Sequence, residues 1–117
     1  MSEKLANNKI EANQLTDKVS TIFKVSIEEK LYNNYDFTVL KNKGNMEDFQ
    51  NLLYKFIGKN WDDIEKLYKR KNNKDDKYNG KQIIHFGEKG ESLRLHGVRS
   101  GEYFVLLRID PKHTYNK

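Results

Sequence analysis

Apolar and polar residues alternate with a period of two in two short runs between residues 19 and 40, which predicts a β-hairpin there. The first run covers residues 19–27 and the second residues 35–39, and both are rich in β-branched and aromatic side chains. Asn33 and Asn34 lie between the runs and favour a turn, because asparagine tolerates left-handed backbone. Residues 1–18 are polar with widely spaced apolar residues, which predicts an N-terminal arm or a short helix.

Two amphipathic helices are predicted between residues 46 and 68. Apolar residues recur there at helical spacing, at Met46, Phe49, Leu52, Leu53, Phe56 and Ile57, and then at Trp61, Ile64, Leu67 and Tyr68. Asn45 and Asn60 are the predicted N-caps, and Gly58 is predicted to end the first helix. Acidic residues open the second helix, where a helix-turn-helix recognition helix would carry its base-contacting residues, so a DNA reader is disfavoured.

Three further strands are predicted after the polar loop at 72–80, at residues 82–86, 93–98 and 103–110. The resulting order is ββ-αα-βββ. This order predicts a single α+β domain over residues 19–117, with a two-helix layer packed on one face of an antiparallel sheet.

The register of the last two strands decides which of their side chains share a face. A two-residue turn at Ser100 and Gly101 would mix polar with apolar residues on both faces, whereas a three-residue turn with Gly101 in a left-handed bulge would separate them. The second register is the predicted one. It places on one face Leu93, Leu95, Tyr103, Val105, Leu107 and Ile109, and on the other Arg94, His96, Phe104, Leu106, Arg108 and Asp110.

The polar face of this hairpin admits two interpretations. Its charges could be satisfied locally on a half-exposed sheet, or it could bind phosphate or nucleic acid. Guanidinium groups hold phosphate oxygens in a fixed fork, and an aromatic ring can stack on a base. The candidate residues for phosphate or nucleic-acid binding are Arg94, Arg99, Phe104 and Arg108.

The distribution of charge agrees with an anionic partner. The chain has a net charge of +5, and all four arginines lie after residue 60. Residues 66–81 hold seven Lys or Arg against two Asp, which makes a local basic patch. The same pattern would arise if these charged side chains only formed a solvated surface, or if an AT-rich genome raised the lysine content.

Histidine is the side chain that titrates near neutral pH, so His85, His96 and His113 are the acid–base candidates for cleavage of RNA. The candidate catalytic residues are His96, His113 and Tyr115. No metal-binding or nucleotide-binding motif is present, and no metal or cofactor is expected. The chain has no cysteine and no apolar run near the ~20 residues that span a bilayer, so a cytoplasmic protein without a membrane partner is expected.

Residues 94–110, RLHGVRSGEYFVLLRID, resemble the closing strands of the RelE/ParE-like toxin superfamily. The resemblance implies a ribosome-dependent endoribonuclease with an antitoxin partner, in which Arg94, Arg99 and Arg108 face phosphate. The ending D-P-K-H at residues 110–113 is also similar to small bacterial proteins without an assigned activity.

Two functions remain open from the sequence. The first is a domain that binds RNA, the ribosome or another anionic partner through the C-terminal hairpin, with toxin-like endoribonuclease activity. The alternative is a non-catalytic protein-interaction module of a mobile element or phage.

Overall fold

The computed structural model describes residues 21–115, so the predicted arm at residues 1–18 lies outside the described residues. The described chain is an α+β domain, which confirms the predicted fold class. In chain order its elements are β1 (Lys24–Ser26), a 3₁₀ helix (Phe37–Lys41), α1 (Lys43–Phe56), α2 (Trp61–Tyr68), β2 (Lys69–Arg70), β3 (Lys77–Tyr78), β4 (Lys81–Gln82), β5 (Ile84–Phe86), β6 (Arg94–Ser100) and β7 (Tyr103–Asp110).

The main sheet within residues 21–115 has five strands in the order β1-β7-β6-β5-β2. Strands β2, β5, β6 and β7 pair antiparallel, whereas β1 runs parallel to β7. The sheet is therefore mixed, and the prediction of a purely antiparallel sheet is wrong at this one edge. Strands β3 and β4 form a separate small hairpin inside the predicted polar loop.

The hairpin predicted over residues 19–40 is not formed by the residues described. Its first run supplies only β1, and its second run becomes the 3₁₀ helix. Asp36 caps that helix, because its carboxylate accepts a hydrogen bond of 3.0 Å from the backbone N–H of Thr38. A local bond of this kind offers the backbone an alternative to a strand ladder. Phe23 meanwhile packs into the core against Trp61, with ring centroids 4.6 Å apart, and this packing holds the chain next to β7.

The two helices form where their apolar spacing predicts them. Helix α1 begins earlier than expected, and its N-cap is Asn42 instead of the predicted Asn45. The side chain of Asn42 accepts from the backbone N–H of Asn45 at 3.1 Å. The predictions for Gly58 and Asn60 are confirmed, since Gly58 has a φ of +76° and Asn60 caps α2 through the N–H of Asp63 at 2.8 Å.

An aromatic core fills the space between the helices and one face of the sheet. Its fully or almost fully buried members include Phe23, Leu52, Phe56, Trp61, Ile64, Phe86, Leu95, Phe104, Leu106 and Ile109. The indole N–H of Trp61 donates to the carbonyl of Glu102 at 2.7 Å, so the one polar atom of this ring is satisfied inside the core. This packing fixes α2 against the β6–β7 turn.

The β6–β7 hairpin forms neither of the turns considered from the sequence, because its two turn residues are Gly101 and Glu102. Ser100 pairs with Tyr103, so the turn has two residues, and Gly101 in it has a φ of +62°. A β-bulge between His96 and Gly97 then shifts the register by one residue, which leaves Leu107 as the extra residue of β7. The predicted faces are therefore right only beyond the bulge, where Arg94 and His96 share a face with Arg108 and Asp110.

The bulge corrects the two predicted faces. Arg94, His96, Arg108 and Asp110 share one face, as predicted, but Phe104 and Leu106 lie on the helix side in the aromatic core. The opposite side of the sheet carries a second, smaller apolar cluster of Ile83, Val98, Val105 and Leu107, against which Tyr32 and Tyr78 pack.

Candidate functional site

A row of four basic side chains crosses the sheet. Arg70 of β2 pairs with His85 of β5, His85 pairs with His96 of β6, and His96 pairs with Arg108 of β7. Side chains of paired residues project from the same face. Phe86, Leu95 and Ile109, which lie next to His85, His96 and Arg108 in their strands, belong to the helix-side core. The row Arg70–His85–His96–Arg108 therefore lies on the face opposite the helices.

Hydrogen bonds join His85 and Arg108 to Asp76, which the 72–80 loop brings over the sheet, and a further one joins Arg108 to His96. The Nε–H of Arg108 donates to Nδ1 of His96 at 2.8 Å, and its Nη2 donates to Asp76 Oδ2 at 2.5 Å. Nε2 of His85 lies 3.3 Å from the same carboxylate oxygen. The rings of His85 and His96 stack with centroids 3.6 Å apart and an interplanar angle of 10°.

Both histidines of the row are held neutral. Burial, reinforced by the neighbouring His85 and Arg108, lowers the pKa of His96 to about 2. Burial also lowers the pKa of His85, although its bond to Asp76 acts in the opposite direction. Because His96 is neutral, its contact of 4.0 Å with the carboxylate of Asp110 is not an ion pair.

The hydrogen bonds also assign the tautomers. Nδ1 of His96 accepts from Arg108, so the proton of His96 is on Nε2. Nε2 of His85 faces a carboxylate oxygen, so its proton is on that atom and its Nδ1 carries a lone pair.

Two tyrosines enclose the guanidinium of Arg108. Its central carbon lies 3.6 Å from the ring centroid of Tyr115 and 4.9 Å from that of Tyr32. Tyr115 also contacts His96, with ring centroids 5.8 Å apart. Arg108 and His96 are fully buried under this cover, so this end of the row is closed to solvent, whereas Arg70 at the other end is half-buried.

The D-P-K-H segment positions Tyr115. One carboxylate oxygen of Asp110 accepts from the N–H of Thr114 at 3.0 Å, and the other accepts from the N–H of Tyr115 at 2.9 Å. His113 takes a left-handed conformation with a φ of +57°, which turns the chain back over the sheet. The segment is thus a turn whose carboxylate fixes the residue that covers the row.

Several buried nitrogens of this cluster have no hydrogen-bond partner. Among the described residues, the row contributes Nδ1 of His85, Nε2 of His96 and Nη1 of Arg108, and Arg94 contributes its Nε. Nearly all buried polar atoms of folded proteins are paired. A concentration of unpaired atoms beside two neutral histidines marks the row as a candidate functional site.

The structure brings together three of the predicted site residues, namely His96, Arg108 and Tyr115. His113 is half-buried beside them, and its charge contributes to lowering the pKa of both His85 and His96. His85 was recognisable from the sequence as one of three histidines. Asp76 lies in a polar loop, and no feature of the sequence singled it out.

The other three predicted residues lie elsewhere. Phe104 is fully buried in the helix-side core. Arg99 is exposed, with its guanidinium carbon 4.2 Å from the centroid of the Trp61 ring. Arg94 donates to the loop carbonyls of Glu91 at 2.5 Å and Leu93 at 2.9 Å, and burial lowers its pKa.

Within residues 21–115, no cluster of three or more His, Asp or Glu side chains is arranged to hold a metal ion. No helix in this part of the chain is long and apolar enough to cross a membrane.

Comparison of the chain with family models, curated proteins and solved structures finds no match.

Proposed function

We propose that this domain binds RNA at the row Arg70–His85–His96–Arg108 and cleaves it there, as a toxin-like endoribonuclease of the cytoplasm. The observation that carries the proposal is the pair of stacked neutral histidines, bonded to a buried arginine, with unpaired nitrogens on all three side chains. Histidine transfers protons and arginine stabilises charge in phosphodiester cleavage.

The free atoms of the row suit distinct roles. Nη1 of Arg108 and the Nε2–H of His96 are unpaired donors, which a phosphate oxygen would satisfy. Nδ1 of His85 is an unpaired acceptor and remains unprotonated at neutral pH, so it would take the proton of the ribose 2′-OH.

The proposed cleavage is a transesterification. The 2′-oxygen attacks phosphorus, the bond from phosphorus to the 5′-oxygen breaks, and a 2′,3′-cyclic phosphate forms. The leaving 5′-oxygen takes a proton from His113 or from the hydroxyl of Tyr115, which both border the row. Since Tyr115 covers Arg108 at 3.6 Å, the turn at residues 111–115 must move before RNA reaches the row.

The test is cleavage of labelled RNA, free and on translating ribosomes, by the wild type and by Arg108→Lys and His85→Gln. Lys112→Gln is the matched control, because Lys112 is an exposed residue of the neighbouring turn. We expect the wild type and the control to cleave and both row variants to lose cleavage while their circular dichroism stays native. A folded wild type that cleaves neither RNA substrate would refute the enzymatic part of the proposal.

A protein-interaction module is the second candidate, favoured by one observation. Large apolar side chains are exposed along and beside the edge strand β1, at Ile22, Val25, Ile27 and Phe37. An antitoxin-like protein encoded beside this one would cover them. Ile27→Asp with Phe37→Asp should then abolish co-purification with that protein and leave RNA affinity unchanged, whereas unchanged co-purification would dismiss this surface.

A further inference from the structure

A basic groove lies where the end of α2 meets the loop that carries Asp76. It has a volume of about 690 Å³ and is lined by Lys69, Arg70, Lys71, Lys74 and five further residues, Glu65, Asn72, Gln82, Ile83 and Ile84. The lining thus has four cationic side chains and one anionic side chain, Glu65. Four of the seven basic residues in the patch visible in the sequence therefore line a concave surface.

The walls of the groove are fixed by hydrogen bonds. The side chain of Asn72 donates to the carbonyl of Ile83 at 2.5 Å, and that of Gln82 donates to the carbonyls of Asn73 and Asp76, each at 3.2 Å. Arg70 donates to the carbonyl of Leu67 at 2.7 Å at the end of α2. The side-chain amides of Asn72 and Gln82 are occupied by bonds to the loop itself, so they are poorly placed to read bases.

The lysines of the groove are differently placed. Lys69, Lys71 and Lys74 are exposed, and within residues 21–115 no carboxylate lies within ion-pair distance of them. Ammonium groups on flexible stems bind phosphates as point charges without base selectivity. The groove thus has the chemistry for a sugar-phosphate backbone.

Arg70 joins the groove to the histidine row. It lines the groove, and its strand partner His85 is the next member of the row. A nucleic-acid strand lying along the groove would therefore lead onto the sheet face at His85.

We infer that this groove binds the backbone of single-stranded RNA, independently of base sequence, and guides it toward the row; the direction of guidance rests on the function proposed above. Lys69, Lys71 and Lys74 contact successive phosphates. Binding is consequently steeply dependent on salt, because each neutralised phosphate releases counterions.

The experiment measures binding of a fluorescently labelled oligouridylate by anisotropy at several salt concentrations. It compares the full-length wild type with Lys71→Gln/Lys74→Gln and with the matched control Lys41→Gln/Lys43→Gln, which removes two exposed lysines from outside the groove. For two lost contacts on a single strand, the slope of log K against log salt should fall by about 1.4 in the groove variant. The control should keep the wild-type slope.

The outcomes separate the groove from the proposed enzyme. A reduced slope in the groove variant alone supports the groove, whether or not the wild type cleaves RNA. Equal losses in both variants overturn it, since net charge alone would then explain binding. Absence of RNA binding by the wild type at low salt also overturns it, and cleavage that is insensitive to the groove variant overturns its guiding role but leaves the row as the active site.

Discussion

The imidazole rings of His85 and His96 stack face to face, with centroids 3.6 Å apart and planes 10° from parallel. They come from adjacent strands at a directly paired position. Two protonated rings could not be buried at this distance, because each charge would raise the cost of the other. The stack therefore excludes double protonation, and burial lowers the pKa of each ring, which favours the neutral form of both.

The free energy of unfolding should fall as the pH drops from 7.5 to 5. The folded pKa of His96 is about 2, whereas the unfolded value is about 6.5, so below pH 6.5 only the unfolded chain takes up the proton. Stability is therefore fully present above the unfolded pKa and is lost by about 1 kcal/mol per pH unit below it.

Urea titrations at fixed pH values measure this loss. His96→Gln retains an acceptor for Arg108 and should flatten the pH dependence, whereas His113→Asn, outside the stacked pair, should keep it steep. A wild type equally stable at pH 7.5 and pH 5 would show that the stack is not buried and neutral.

Replacing Asp76 with asparagine should destabilise the protein by about 2–3 kcal/mol. One carboxylate oxygen of Asp76 accepts from Arg108 at 2.5 Å and faces His85 at 3.3 Å, so the change leaves a buried guanidinium without its counter-charge. Chemical denaturation measures the effect. The exposed neighbour Asp75 supplies the control, since Asp75→Asn should change stability by less than about 0.5 kcal/mol; equal effects at both positions would contradict the network.

Gly97→Ala should destabilise the protein by about 3 kcal/mol through overpacking at the bulge. A Cβ at this position would overlap the carbonyl oxygen of Val105 and would lie 2.8 Å from two carbons of the Phe104 ring. Gly101→Asn is the comparison, because asparagine tolerates the left-handed turn there and nothing lies near its Cβ. A thermal midpoint of Gly97→Ala no lower than that of Gly101→Asn would exclude the bulge geometry.

Tyr115→Ala should cost about 1–2 kcal/mol of stability, because it removes the ring that covers the buried guanidinium of Arg108. Tyr115→Phe keeps the ring and should cost less than about 0.5 kcal/mol. The same pair of variants tests the hydroxyl in chemistry. If Tyr115 protonates the leaving oxygen, Tyr115→Phe loses cleavage while its unfolding curve stays close to that of the wild type.

The helices and the last three strands could be predicted because their signals are local. Apolar spacing defines both faces of α1 and α2, and Asn60 and Gly58 carry the conformational preferences of a cap and a helix end. Residues 35–39 also alternate like a strand, but the carboxylate of Asp36 caps a 3₁₀ turn, and a side-chain bond of this kind overrides a weak alternation.

The candidate site could be predicted only in part, because its assembly depends on register. Arg94, His96 and Arg108 were placed on one face correctly, since that part of the hairpin lies beyond the bulge. Phe104 was placed with them because a single extra residue, Leu107, is invisible in an alternating pattern. Asp76 enters the site from a loop 32 residues before Arg108, and such a long-range contact leaves no periodic trace.

Imidazole nitrogen NMR of the ¹⁵N-labelled protein during titration with a short oligoribonucleotide tests the RNA site most directly, because the chain has three histidines. Free protein should show His96 as the neutral Nε2–H tautomer. On addition of RNA we expect the signals of His85 and His96 to shift together, saturating with bound RNA, and those shifts to disappear in Arg108→Lys. Unchanged signals of both histidines at saturating RNA would contradict the assignment of this row as the RNA site.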